Sequence, residues 1–314
     1  MSDSPAPAEP SPGLVQQDEV EVSFVRRIPP VAFALLTLAF VFFLYQGIGG
    51  LFTLILFKAE FTEENINAVR WFLWFGQIVF LLVPTCILAH ARYGRVLNYF
   101  RVKRPDFKLI ALTVVAVFAL QQLLQGYLLL QEAVPLPDVL EEFIRRFKQM
   151  IEDTYRVLVT ANTPLEFLSV VAIVAITPAV CEELLFRGLI QRTFEDALGG
   201  VRGAFITGAI FGVYHLNPFI LIPLCVLGIF LGLIVQRTQN ITLAIGAHFA
   251  NNLVACIAAY LKIDEDILVV APLGEVTPVL LAVNYLFFAV VFVVATYYFL
   301  EATRPARYTS ITNS

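Results

Sequence analysis

Long apolar runs without any charged residue constrain this chain more than any other feature of its sequence. Such runs occupy 28–57, 71–89, 109–131, 203–236, 238–261 and 276–300, and a seventh at 167–181 continues beyond Glu182 and Glu183. A helix needs about 20 consecutive apolar residues to cross a bilayer. Only 15% of the residues are charged, whereas soluble domains contain about 25%. The sequence therefore predicts an all-α, polytopic membrane helix bundle.

The run at 203–236 is too long for a single membrane helix. Asn217-Pro218 lies inside it, and proline interrupts helical hydrogen bonding. We expect a short helix at 203–216 and a full span at 219–236, which brings the number of transmembrane helices to about eight. Between the third and fourth spans, apolar residues recur at helical spacing and predict one amphipathic helix at the membrane interface. Its apolar stripe comprises Leu140, Phe143, Phe147, Met150, Ile151, Tyr155 and Leu158.

Basic residues are distributed unevenly among the loops between these spans. With both termini on one side, 14 of the 21 basic residues fall on that side and 7 on the other. The positive-inside rule then predicts cytoplasmic termini. The protein is expected to be an integral protein of the plasma (inner) membrane of a prokaryote. The loops at 58–70, 132–164 and 262–275 are expected outside. The net charge of −4 provides no basic surface for nucleic acid.

Ionisable side chains inside apolar spans are costly, so they mark candidate functional sites. Glu182, Glu183 and Arg187 lie within CEELLFRG, and His215 and His248 lie within later spans. At about 1.5 Å of rise per residue, Glu182 is about 24 Å, His215 about 18 Å and His248 about 15 Å from the cytoplasmic ends of their helices. These groups are therefore expected to meet within the membrane, nearer the cytoplasm.

Helical spacing sorts the polar residues into pairs. Glu183 and Arg187 are four residues apart in the orientation that favours an ion pair, which leaves Glu182 as the freer carboxylate. His248 and Asn252 are also four apart and project from one helix face. Two donors on one face suit a developing oxyanion, and a carboxylate in a low-dielectric cavity becomes a stronger base.

Three stretches of the chain resemble the motifs of a known family. Glu182–Arg187, Phe211–His215 and His248–Asn252 are similar to the EExxxR, FxxxH and HxxxN motifs of the CPBP family, over about residues 165–260. That family comprises CAAX prenyl endopeptidases of the Ras-converting type (type II) and bacteriocin-processing or self-immunity (Abi) proteins. The resemblance implies an intramembrane endopeptidase with a cavity open to the cytoplasm, cleaving near the cytoplasmic membrane face.

The resemblance also implies roles for individual residues. It assigns the activation of a water molecule to Glu182 and His215, and the oxyanion site to His248 and Asn252. The candidate catalytic residues are Glu182, Glu183, Arg187, His215, His248 and Asn252. The expected partners are a peptide or protein substrate, with or without a lipid group, and membrane lipids. No cofactor is favoured.

The resemblance and the apolar pattern together divide the chain into four parts. Residues 1–27 are acidic, rich in proline and serine and without a signal-peptide pattern, so they are expected to be a disordered cytoplasmic tail. Residues 28–164 carry N-terminal membrane helices and the interfacial helix. Residues 165–261 form the catalytic CPBP-like membrane core, and 262–314 the last membrane helix and a cytoplasmic tail.

Other chemistries remain open from the sequence. Zinc bound by Glu182, His215 and His248 is a compatible ligand mixture, although the HExxH signature and a histidine pair at helical spacing are missing. A non-catalytic immunity or scaffold protein would keep the same fold. A proton-coupled transporter also places carboxylates and histidines inside spans, but the two halves show no inverted repeat. Cys181 is expected to point away from Glu182, without a catalytic partner.

Overall fold

A computed structural model describes residues 24–58, 61–62, 64–94, 96–104, 106–132, 134–135, 137–263 and 278–304. Throughout this part of the chain the regular structure is helical, and no strand is present. The helices are α1 (Phe24–Arg27), α2 (Pro30–Phe57), α3 (Ile66–Tyr93), α4 (Val96–Tyr99), α5 (Phe107–Glu132), α6 (Asp138–Val159), α7 (Pro164–Leu198), α8 (Gly200–Tyr214), α9 (Leu221–Thr238), α10 (Ile241–Tyr260) and α11 (Pro278–Ala302). Most of the predicted N-terminal tail, the C-terminal tail from residue 305, and 264–275 of the predicted outer loop lie outside the described residues.

Seven of the described helices are long and apolar enough to cross a membrane, and α8 is a shorter apolar helix. These eight helices correspond to the eight expected spans, so the prediction of a polytopic helical membrane bundle is confirmed. The chain turns from α7 into α8 at Gly199, whose φ of +94° suits a residue without a side chain. At the other end of α8, Leu216 adopts a φ of 52° and ends the helix. The Asn217-Pro218 break therefore lies where the sequence predicts it.

The described N-terminal and C-terminal residues lie at the same end of the bundle. At the end of α3, Arg92 donates from Nη1 to the carbonyl oxygens of Val25 at 2.8 Å and Ile28 at 2.9 Å. At the end of α9, Arg237 donates from Nη2 to the Leu300 carbonyl at 3.0 Å. We call this the terminal end, and the opposite end, which carries α6, the α6 end.

Glycines allow α8 and α9 to pack closely. A Cβ atom added at Gly208 would lie 2.3 Å from the Ile229 backbone nitrogen, and one at Gly228 would lie 2.7 Å from the Gly208 carbonyl oxygen. These distances are far inside van der Waals contact, so no larger residue fits without moving a helix. Small residues let helix backbones approach each other in membranes, and this contact sets the rotation of α8 relative to α9.

Helix α6 forms at 138–159, which covers the predicted amphipathic stretch. Its C-terminal end is held by Arg70 of α3, which is buried. The Arg70 guanidinium donates to the carbonyl oxygens of Leu158 at 2.9 Å, Val157 at 2.9 Å and Thr160, and to the Glu166 carboxylate at 2.6 Å. On the apolar stripe of α6, Phe143 and Met150 are exposed, as expected of side chains that face lipid. The location at the interface stays a prediction.

Candidate active site

A break in α7 places the carboxylates of the candidate site. Two π-helical stretches, Val171–Ile176 and Leu184–Ile190, flank the short α-helical segment that carries Glu182 and Glu183. Such π-bulges are frequent at functional sites. Pro178 has no N–H to donate to the Val174 carbonyl four residues earlier. Asn252 donates from its side-chain Nδ2 to that same oxygen at 3.3 Å, so α10 satisfies the group that proline leaves unpaired.

Glu183 is the buried anchor of the site. Its Oε1 atom accepts from Arg187 Nη1 at 2.8 Å and from His248 Nδ1 at 2.9 Å, and the Glu183 and Arg187 side chains are 0% exposed. Arg187 also donates from Nη2 to the Gly228 carbonyl at 3.0 Å. The predicted Glu183–Arg187 ion pair is present. Glu183 also accepts a hydrogen bond from His248. The spacing along the sequence does not predict this contact, because it joins two different helices.

Glu182 and His215 face each other at the partly open side of the site. Their side chains are 20% and 31% exposed, and His215 Nε2 lies 3.8 Å from Glu182 Oε2. This separation is too long for a direct hydrogen bond. On its other side, the His215 ring donates from Nδ1 to the Phe211 carbonyl, at 2.7 Å. Because a carbonyl only accepts, the neutral ring carries its proton on Nδ1 and presents the lone pair of Nε2 to Glu182.

The Phe211 ring is near three other side chains of the site. Its centroid is 4.5 Å from the Arg187 guanidinium carbon, 4.6 Å from the His215 ring and 6.1 Å from the His248 ring. An aromatic face stabilises a desolvated guanidinium, and the same ring makes edge contacts with both histidines. Phe211 was not among the candidate site residues. Its position four residues before His215, in the FxxxH motif, was the available signal.

The structure thus joins five of the six candidate residues in two groups, in a partly different arrangement from the one expected. Glu182 lies 3.8 Å from His215, whereas His248 contacts Glu183 together with Arg187. The joint role of Glu182 and His215 stays a prediction. Asn252 contacts the broken part of α7, and its Oδ1 lies 3.4 Å from Asn251 Nδ2. Whether His248 and Asn252 form an oxyanion site stays a prediction.

A polar and a sulfur group lie near the candidate residues. Gln121 donates to Asn251 Oδ1 at 2.9 Å and links α5 to α10, and polar side chains commonly join membrane helices in this way. Cys181 is 1% exposed and packs in an apolar cluster that contains Leu38 and Phe186. Its thiol therefore lies among hydrophobic side chains rather than beside the candidate base.

A buried polar row continues from Glu183 towards the terminal end of α7. Gln191 donates to Glu195 Oε1 at 2.6 Å and to the Gly232 carbonyl at 2.9 Å. Glu195 Oε2 in turn lies 2.8 Å from Arg101 Nη1, in a largely buried ion pair. Burial lowers the pKa of Arg101 from its usual value, and the adjacent Glu195 carboxylate opposes that change. Sequence reasoning missed this row, whose only signal was the four-residue spacing 183, 187, 191 and 195.

Arg101 and Phe100 close the terminal end beneath the site. Arg101 adopts a φ of 58°, which is unfavourable for a side chain of this size, and its Nη2 atom lies 3.4 Å from the Arg187 carbonyl oxygen. Phe100 is 2% exposed, and its ring fills the space above Gly188, where an added Cβ would lie 2.7 Å away. The connection between α3 and α5 is therefore packed into the bundle rather than lying free.

The donor groups do not form a metal-binding set. Across the described part of the chain, no three histidine, cysteine, aspartate or glutamate side chains are grouped closely enough to hold a metal ion. Glu182 lies 3.8 Å from His215, whereas His248 is hydrogen-bonded to Glu183. The residues named as alternative zinc ligands therefore do not fit a three-ligand zinc site in this structure.

Comparison with protein-family models matches residues 164–254 to the Rce1-like family, described as type II CAAX prenyl endopeptidase Rce1-like. The match contains the broken helix α7, both histidines and Asn252. We call residues 164–254 the Rce1-like segment, because they are similar to that family. It begins at the first residue of α7 and ends within α10, so the Rce1-like segment coincides with the helices that carry the polar site. No curated protein and no solved structure matches the chain.

The Rce1-like match agrees with the resemblance of the three motifs to the CPBP family. It supports, at the level of the family, a CAAX-protease-like endopeptidase in the membrane. The part of the chain before the Rce1-like segment contributes Arg70, Phe100 and Arg101, which contact it from outside the matched range.

Proposed function

We propose that this protein is an intramembrane endopeptidase that hydrolyses a peptide bond with a water molecule activated by Glu182 and His215. The observation that supports this most is the orientation of His215, whose Nε2 faces Glu182 Oε2 across 3.8 Å. Glu182 Oε2 is buried and has no hydrogen-bond partner among the described residues. One water molecule placed between the two atoms would hydrogen-bond both at about 2.8 Å. Catalytic contacts in a substrate-free enzyme are often longer than in the complex.

In the proposed reaction, Glu182 removes a proton from the water as its oxygen attacks the scissile carbonyl carbon. The C–O bond forms and the carbonyl π electrons move to its oxygen. The C–N bond then breaks, and the proton passes from Glu182, or through His215, to the departing amine. General acid–base catalysis of this kind contributes about 10²–10⁴ in rate. No nucleophilic side chain is required.

The developing oxyanion is proposed to lie near the inward face of α10. Asn252 uses its side-chain amide for the Val174 carbonyl, and an amide group carries two N–H donors, of which one remains for the oxyanion. His248 already donates its Nδ1–H hydrogen bond to Glu183, so a hydrogen bond from this ring to the oxyanion would need a second N–H, on Nε2. In this proposal Glu183 and Arg187 are positioning residues, because they fix His248 without facing the reacting atoms.

The proposed chemistry needs no metal. It is favoured over the zinc-dependent alternative because it gives Asn252 a role, as a hydrogen-bond donor to the oxyanion. Cleavage near the cytoplasmic membrane face, and a substrate with or without a lipid group, are carried over from the family resemblance as parts of the proposal. The orientation of the termini rests on the distribution of basic residues alone.

Mapping of peptide termini tests the proposed function. Bacterial membranes that contain the wild-type protein or the Glu182→Gln variant are compared by mass spectrometry of newly formed N termini. We expect a set of termini that appears only with the wild-type protein, at equal expression. Identical termini in both samples, together with a phenotype that Glu182→Gln preserves, would instead indicate a non-catalytic immunity or scaffold protein.

A further inference from the structure

The short segment between α4 and α5 is held between the two helices that carry the buried anchor of the candidate site. We call residues 98–104 the strap. On one side, Arg192 of α7 donates from Nη1 to the Tyr99 carbonyl oxygen at 2.5 Å. On the other side, the backbone N–H of Ile241, the first residue of α10, donates to the Arg101 carbonyl oxygen at 3.2 Å. The strap therefore contacts both α7 and α10 at the terminal end.

The Arg101 side chain also contacts both sides. Its Nη1 atom lies 2.8 Å from Glu195 Oε2 and 3.3 Å from Gln239 Oε1. Its Nη2 atom lies 3.4 Å from the Arg187 carbonyl oxygen. Glu195 and Arg187 belong to α7, whereas Gln239 follows α9 in the turn that leads into α10. The planar guanidinium carries five N–H donors in a rigid fork, which suits it to hold several acceptors in one geometry.

The backbone of Arg101 adopts a conformation that such a residue rarely occupies. A positive φ, here 58°, costs about 1–3 kcal/mol for a residue other than glycine, and it persists only where the surrounding structure fixes it. Arg101 is also buried, and its Nε atom has no hydrogen-bond partner among the described residues. The cost of this strained, incompletely paired arginine indicates that its other contacts matter to the protein.

Those contacts close a ring with the buried anchor of the site. Arg187, whose carbonyl oxygen faces Arg101, donates to Glu183 at 2.8 Å. Glu183 accepts in turn from His248 of α10 at 2.9 Å. Ile241 precedes His248 by seven residues, which is about 10 Å along α10 and nearly the same helix face. Helices α7 and α10 are therefore joined at two points. A single contact lets two helices pivot about it, whereas a second contact fixes the angle between them.

We propose that Arg101 is a positioning residue of the candidate active site, which holds the start of α10 against α7 and thereby maintains the contact of His248 with Glu183. Arg101 lies outside the Rce1-like segment and outside the three motifs. It does not face the reacting atoms and acts through the position of His248. The positioning itself does not depend on the proposed endopeptidase function, whereas its effect on turnover rests on that function.

NMR of the histidine rings tests the proposal without requiring turnover. The chain has three histidines, so protein labelled with ¹⁵N-histidine in phospholipid bilayers gives few ring signals, and His248→Gln assigns one set. In Arg101→Asn the guanidinium contacts are lost, while asparagine tolerates the positive φ. We expect the His248 Nδ1 signal to leave the position of a nitrogen hydrogen-bonded to a carboxylate, with the His90 and His215 signals unmoved. An unmoved His248 signal, or equal displacement of all three, would overturn the proposal.

A second variant and a control keep this test decisive. Glu195→Gln leaves the strap unchanged but removes the charge that pairs with Arg101, so we expect a smaller shift of the same His248 signal. If Arg101→Asn does not fold, an unmoved signal in Glu195→Gln overturns the proposal. Arg104→Gln is the matched control, because Arg104 is an exposed residue of the strap whose carbonyl oxygen, 3.5 Å from Asn240 Nδ2, is kept. A shift in Arg104→Gln as large as in Arg101→Asn would likewise overturn the proposal.

Kinetics connect the positioning to the proposed function, on a peptide that the wild-type protein cleaves. A small misplacement of a catalytic group is costly, so we expect kcat of Arg101→Asn to fall by about 10–10²-fold. KM should change little, because Arg101 does not contact the substrate. An unchanged kcat, with or without a change in KM, would overturn the proposal while leaving the proposed function intact. If no peptide is cleaved, the proposed function fails, and the His248 signal alone decides the positioning role.

Discussion

Removing the Arg187 guanidinium should destabilise the protein, because the buried Glu183 carboxylate then loses its cationic partner. Arg187→Met keeps most of the side-chain volume but deletes the ion pair with Glu183 and the hydrogen bond to Gly228, at 2.8 and 3.0 Å. Breaking a buried pair by removing one partner costs about 3–5 kcal/mol. His248 remains 2.9 Å from the Glu183 carboxylate and compensates part of that cost. We therefore expect a loss of about 3 kcal/mol, at the lower limit of this range.

The assay is reversible unfolding of the purified protein in mixed micelles, followed by the loss of helical circular dichroism. The double variant Glu183→Gln/Arg187→Met removes both charges and should recover most of the lost free energy of unfolding, because no uncompensated charge remains. Arg145→Met is the control. Its pair with Glu142 is exposed, and such pairs contribute about 0–1 kcal/mol. Wild-type stability in Arg187→Met, or a double variant no more stable than the single one, would refute this reasoning.

Three further predictions concern packing, cofactor and topology. Gly208→Ala should lower the free energy of unfolding in the same micelles by about 1–3 kcal/mol through overpacking. Gly50→Ala should not, because an added Cβ there meets nothing within 4 Å. Equal stability of the two variants would contradict the close packing of α8 on α9. Exhaustive chelation of the purified protein should leave peptide cleavage unchanged, and a loss that zinc specifically restores would overturn the metal-free mechanism. A membrane-impermeant thiol reagent added to intact cells should label Thr62→Cys but not Asn98→Cys in a cysteine-free background, and the reverse pattern would invert the predicted orientation.

Much of the architecture follows from local pattern. The apolar runs predict each membrane helix, because a bilayer requires a fixed length of apolar chain. The break at Asn217-Pro218 and the Glu183–Arg187 pair depend on residues within four positions of each other, so spacing alone predicts them. The amphipathic helix α6 is visible for the same reason, as a 3.6-residue period.

The remaining features depend on how helices rotate against each other. His248 contacts Glu183 rather than Glu182. This choice depends on which faces of α7, α8 and α10 are packed against each other. The contact of Gly208 with Gly228 fixes part of that geometry, yet no period in the sequence reports it. Likewise the position of α6 depends on Arg70, whose side chain hydrogen-bonds backbone carbonyls nearly ninety residues further along the chain. Pairings over such separations are set by packing rather than by local pattern.

The most direct test of the central claim is the turnover number of Glu182→Gln on a peptide that the wild-type protein cleaves. The amide keeps the shape of the carboxylate but cannot accept the proton of the attacking water, so we expect kcat to fall by about 10²–10⁴, with normal folding. Cys181→Ala is the matched control at the adjacent position and should keep near-wild-type turnover. Wild-type turnover in Glu182→Gln, or a loss confined to Cys181→Ala, would contradict the account and indicate a thiol nucleophile or another catalytic group.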